Sequence, residues 1–157
     1  MPNYESHSHS YGESALHLQF TPKYRRAIFT DSLLLRACRG MFGYIAVQLK
    51  VQLVAAEFGP DHTHTFFRDW KNYSIPQLAQ LLKGRSSYEL RRRFPDRLAL
   101  FKLGASMWTD GYFYETVGSV TADARQFYIE RCQKKHWAHE KKQEINLYKF
   151  FKRPSAL

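Results

Sequence analysis

The chain has 157 residues, 44% apolar and 16% aromatic, enough for one domain with a buried core and too many for a disordered chain. With 24 Lys and Arg against 14 Asp and Glu it carries a formal charge of +10, which points to a polyanionic partner such as nucleic acid. No apolar run is long enough to cross a bilayer, the start lacks the apolar stretch of a secretory signal, and Cys38 and Cys132 are too few for a disulfide framework, so a cytoplasmic protein with no membrane role is expected. Residues 1–14 are polar and read as a flexible lead-in. In "ALHLQFTP", 15–22, Leu16, Leu18 and Phe20 alternate with His17, Gln19 and Thr21, the period of a strand closed by Pro22. Thr30 or Asp31 can cap a helix running to about Lys50. Its apolar stripe is Leu33, Leu34, Ala37, Cys38, Met41, Ile45 and Leu49, so Cys38 reads as a core thiol.

"VQLVAAEF", 51–58, reads as a second strand and "DHTHTFFRDW", 61–70, as a third, joined by Gly59-Pro60. Ser74 and Gln77 form a capping-box pair opening a second helix, with Pro76 in its first turn, and the segment continues to Pro95. Residues 96–110 are less regular, and 111–118 is a fourth strand. A last helix starts at Thr121 or Asp123, and 138–157 is a basic tail rich in Lys and aromatics. The first six elements match an α+β, ferredoxin-like split β-α-β plan: an antiparallel sheet with two helices on one face. The main domain is then 15–137.

Within that plan His62 and His64 attract attention. On a strand, residues i and i+2 share a face, so the two imidazoles stand side by side while Thr63 and Thr65 turn the other way. One face of a central strand is covered by the helices, and the other is open to a site. Two adjacent imidazoles can bind one divalent metal and leave positions for a third ligand and substrate oxygen. Tyr128, in "RQFYIERCQKK", shares a helix face with Ala124, Arg125, Arg131 and Cys132. A phenol has a pKa near ~10 and needs a cation nearby to act as a nucleophile at neutral pH.

Taken in order, "LHLQFTPKYRR", "PDHTHTFF", "SIPQLAQLLKGRSSYELRRRFP", "MWTDGYFYETVGSV" and "ARQFYIERCQ" resemble the single-tyrosine transposases of the HUH nuclease superfamily, which serve small prokaryotic insertion sequences and include REP-associated relatives. The resemblance covers roughly 15–135, with Thr63 where the family's His-hydrophobic-His signature has an apolar residue. It implies a dimeric enzyme that recognises hairpins at element ends and cuts one strand of single-stranded DNA. Carried across, Tyr128 is the nucleophile that forms a 5′-phosphotyrosine, and His62 and His64 bind Mg²⁺ or Mn²⁺. The family usually carries Gln or Asn four residues after the tyrosine. Here that position is Cys132, with Gln133 one further, so either of these, or water, is left as the third ligand.

Lys23, Arg25 and Arg26 follow the first strand, and Lys83, Arg85, Arg91, Arg92 and Arg93 decorate the second helix. These eight cations are the candidate DNA contacts. Tyr24, Tyr88, Phe94, Trp108, Tyr112 and Tyr114 are interleaved with them and could serve either bases or the core. Two other readings share the fold: a nickase of the replication-initiator or relaxase kind, and a catalytically silent DNA-binding relative.

Overall fold

The computed structural model describes residues 14–118, the backbone of 5–7 and 10–12, and residues 123, 126, 129 and 130. Two short strands, β1 (Glu5–His7) and β2 (Ser10–Gly12), pair antiparallel. The main sheet contains β3 (Ala15–Phe20), β4 (Gln52–Gly59), β5 (His62–Arg68) and β6 (Phe113–Val117). It is antiparallel throughout, in the order β4-β5-β3-β6. Helix α1 (Ser32–Leu49) links β3 to β4, and α2 (Ile75–Arg93) with the short α3 (Pro95–Ala99) links β5 to β6. This is the expected ferredoxin-like α+β arrangement. No helix among the described residues is long and apolar enough to cross a membrane.

Local chemistry sets the helix ends. Asp31, not Thr30, caps α1: its carboxylate accepts from the backbone N–H groups of Leu33 and Leu34. Lys50 closes the helix in the left-handed conformation, at φ 56°. The capping box at Ser74 and Gln77 is complete, each side chain accepting from the other's backbone N–H. Within 96–110, expected to be irregular, α3 is an additional helix. Pro95 cannot continue α2, but its fixed φ and missing N–H suit the first turn of a new helix.

The sheet has two unlike faces. Leu16, Leu18 and Phe20 of β3 lie opposite Phe67, Thr65 and Thr63 of β5. This face carries the helices, with Leu34, Cys38, Phe42 and Ile45 of α1 and Leu78, Leu82 and Leu90 of α2 in one core with the β3 residues and Phe67. Cys38 is fully buried, and burial pushes its thiol well above the ordinary value. The aromatics interleaved with the cations divide here. Trp108 is a core residue, its ring centroid 5.8 Å from that of Phe20 and 6.0 Å from that of Phe42, with Nε1 donating to Ser86 Oγ at 2.9 Å. Phe94 and Tyr112 pack against the same core, whereas Tyr24, Tyr88 and Tyr114 are exposed.

Between Leu53 and Ala55 the β4–β5 ladder shifts by one residue: Leu53 pairs with Phe67 and Ala55 with Phe66, leaving Val54 as a bulge. Leu53, Ala56 and Phe58 therefore face the helices, while Ala55, Glu57 and Gly59 face the other way.

Candidate active site

The face away from the helices carries His62 and His64, as the strand period demands, together with His17 and Gln19 of β3 and Phe66 of β5. His17, His62, His64 and Phe66 are all buried on this face, none more than 2% exposed. The rings of His62 and His64 lie 5.1 Å apart between centroids and nearly perpendicular, at 85°.

Each ring is held through Nδ1. That of His62 meets Asp61 Oδ1 at 2.8 Å, and the second oxygen of Asp61 lies 3.4 Å from Arg25 Nε. Burial would push the Asp61 carboxyl up, but the hydrogen bond and electrostatic attraction of His62 and the Arg25 guanidinium outweigh it and hold the group below its ordinary value. Arg25 arrives through an unusual backbone: Tyr24 and Arg25 are both left-handed, at φ 56° and 51°. Non-glycine residues rarely adopt that region, and consecutive cases persist where tertiary contacts hold them.

His64 is held by the third histidine, with His17 Nε2 2.9 Å from its Nδ1. The His17 ring is itself stacked on Phe66, at 4.5 Å between centroids and 6° between planes. The strand period places His17 opposite the leucines but assigns it no role. The available signal was a strand whose solvent-side positions, His17 and Gln19, carry polar groups able to ligate or donate. With both Nδ1 atoms engaged, Nε2 is the remaining ring nitrogen of His62 and of His64, and both Nε2 atoms are buried. Among the described residues no three His, Cys, Asp or Glu side chains gather into a complete metal set.

Asp123, Gln126, Ile129 and Glu130 are helical, with Gln126 Nε2 donating to Glu130 Oε1 at 3.0 Å one turn on. Ile129 is buried. Tyr128, Cys132, Gln133 and the basic tail lie outside the described residues.

The chain is similar to known proteins. The family model described as IS200-like transposase matches residues 10–132. The chain belongs to that family.

The transposase for insertion sequence element IS200 of Salmonella typhimurium is 28% identical over 127 residues, 81% of this chain and 82% of that protein. The ISDra2 transposase TnpA of Deinococcus radiodurans is 27% identical over 114 residues, 73% of this chain and 80% of its own length. Among solved structures, a protein of Deinococcus radiodurans R1 assigned as a transposase superposes with a TM-score of 0.64 at 28% identity, covering 81% of this chain and 95% of the other. A REP-associated tyrosine transposase bound to a REP hairpin shares the fold, with a TM-score of 0.51 at 13% identity, covering 84% of this chain and 73% of the other.

In this transposase the candidate DNA-contacting cations fall into two groups. Arg25 sits at the histidine site through Asp61, with Lys23 and the exposed Arg26 beside it in the same turn. The others belong to α2, in the helical layer. Lys83 donates to the carbonyls of Asp110 and Gly111 at 2.9 and 3.2 Å, and burial pulls its amine below the ordinary value against the opposing charge of Asp110. Arg85 reaches Gln48 at 3.3 Å, and Arg91 donates to the Gly104 carbonyl at 2.8 Å. Arg92 and Arg93 share Glu89, at 2.9 and 3.1 Å.

Proposed function

We propose that this transposase cuts and rejoins single-stranded DNA at insertion-sequence ends through a 5′-phosphotyrosine on Tyr128, with Mg²⁺ or Mn²⁺ held by His62 and His64. The observation that carries the reading is the pair of buried imidazoles, each braced through Nδ1 and presenting Nε2. Neutral imidazole nitrogens suit a divalent ion, and Nδ1 bracing is the arrangement seen for ligating histidines. Cys132 or Gln133 would complete the set from the tyrosine helix. The bound metal would polarise a non-bridging phosphate oxygen and stabilise the charge that develops during transfer.

In the first step the Tyr128 phenolic oxygen attacks phosphorus, the bond to the 3′ oxygen breaks, and that oxygen leaves as a 3′-OH after taking up a proton. The phosphodiester is exchanged for a phosphotyrosine ester, so a new 3′-OH can reverse the step without ATP. Arg25 would neutralise a phosphate close to the histidines, and the α2 cations would offer a second basic surface. The proposal extends to this chain the hairpin binding of the REP-associated relative whose fold it shares, and takes the working unit to be a homodimer.

The test is a denaturing gel of the protein incubated with single-stranded DNA carrying an element end and Mg²⁺ or Mn²⁺. A covalent adduct is expected, lost with EDTA and with Tyr128→Phe. Hairpin binding without an adduct, across both metals and several ends, would instead favour a silent DNA-binding relative.

A further inference from the structure

We infer that His17 is a positioning residue that holds His64 in the one tautomer able to take a metal. The inference rests on the metal reading above. A histidine that binds a metal through Nε2 must carry its own proton on Nδ1. The atom facing His64 Nδ1 is His17 Nε2, at 2.9 Å. One proton is shared across that contact, and it has two places to sit. If His17 Nε2 holds it, His64 must keep its remaining proton on Nε2, where it blocks the metal. If His64 Nδ1 holds it, His17 Nε2 accepts the hydrogen bond and His64 Nε2 offers a lone pair.

A metal on His64 Nε2 selects the second arrangement, with His17 as the acceptor. The His17 ring cannot turn away, being stacked on Phe66 and edged by Phe113 at 5.8 Å. For Nε2 to accept, the His17 proton must sit on Nδ1. Glu115 is paired with His17 in the β3–β6 ladder, on the same face of the sheet. The two candidate ligands are then braced by different chemistry: His62 by the Asp61 carboxylate, His64 by a neutral imidazole. Bracing of this kind typically changes metal affinity by about 10–100-fold when removed.

Two variants separate the hydrogen bond from packing. His17→Phe keeps a ring against Phe66 but has no acceptor, and His17→Gln supplies a carbonyl oxygen. The full chain is titrated with Mn²⁺, and the proton position on His64 is read from the ¹⁵N shifts of its ring in the metal-free protein. We expect the native His64 to carry its proton on Nδ1, and Mn²⁺ binding to be lost in His64→Ala. His17→Phe should weaken binding by about 10–100-fold and move the proton to Nε2, while His17→Gln should recover most of the affinity. A folded His17→Phe with native affinity would overturn the role of His17 while leaving the metal site standing. So would a folded His17→Gln as weak as His17→Phe. A native His64 protonated on Nε2 would overturn it even if neither variant folds. Native protein whose Mn²⁺ binding is indifferent to His62→Ala and His64→Ala would instead remove the metal reading, and the inference with it.

Discussion

Gly59 lies directly across the β4–β5 ladder from His62, and the imidazole passes so close over the glycine that a Cβ there would collide with the ring. The requirement at this position is space for a functional side chain. Gly59→Ala should displace the His62 ring and lower adduct formation by about 100-fold, the scale at which a misplaced group near the chemistry is felt. The measurement is adduct yield against time, with circular dichroism to show the fold retained. Native rates in Gly59→Ala would mean that the His62 position is not critical.

Asp61 braces His62 and holds Arg25 at once. Asp61→Ala should weaken Mn²⁺ binding by about 10–100-fold. Arg25→Ala should do so by much less, because the guanidinium is 38% exposed and its ion pair is shared with water. Isothermal titration of the two variants gives the order, and an Arg25→Ala defect equal to that of Asp61→Ala would contradict it.

Ser86 is buried and accepts from the Trp108 indole. Ser86→Ala would leave that buried N–H without its acceptor, at a cost of about 1–3 kcal/mol, more than removal of a methylene-sized group alone would suggest. Urea unfolding of the purified variant measures it, and a loss under about 0.5 kcal/mol would show that water replaces the hydroxyl.

Asp31 links two distant segments by capping α1 and receiving Arg97 Nη1 at 2.6 Å. Partial burial pushes its carboxyl up, yet the hydrogen bonds from Arg97 and from the backbone of Leu34 and Leu33 hold it below the ordinary value. A carboxylate whose folded value is depressed contributes stability above its unfolded value, and that contribution is lost as pH falls through the folded value. Asp31→Ala should cost about 1 kcal/mol at pH 7. The gap from the native protein should begin to close as pH drops below about 4. Paired melts at pH 7 and pH 3 decide the matter, and a gap that widens in acid would reverse the assignment.

Arg92 and Arg93 are more than half exposed and share one carboxylate, so their ion pairs with Glu89 add little to stability. Replacing both by Ala should leave the melting behaviour close to that of the native protein. If they meet phosphates, hairpin affinity falls and the salt slope drops by about 0.9 for each phosphate no longer neutralised. Filter binding at several salt concentrations reads both quantities, and an unchanged slope would clear this end of α2 of a role in DNA binding.

Features governed by neighbours in the chain were legible in the sequence. The Ser74–Gln77 box, a helix cap at Thr30 or Asp31 and the period-two alternation of 15–20 each depend on a few adjacent residues. The shared face of His62 and His64 follows from strand geometry alone. The meeting of His17 with His64 is different, because the two are 47 positions apart and come together only when β3 inserts beside β5 in one register. Trp108 was ambiguous for a related reason: its neighbours in "SMWTDG" are mostly polar, and its burial is decided by α1, α2 and β3. For Arg25, composition pointed to phosphate, and only the paired left-handed turn brings it to Asp61.

The bulge at Val54 gives β4 one residue of slack. On its helix side the strand must offer Leu53 to Phe67, and on its histidine side it must offer Gly59 to His62. These two obligations are out of phase by one position, and Val54 absorbs the difference. A chain lacking Val54 alone could pair without interruption from Gly59 back to Gln52, with both partners unchanged. The strand is therefore tolerant of a lost residue at this point, while the clearance above Gly59 leaves no comparable freedom at its other end.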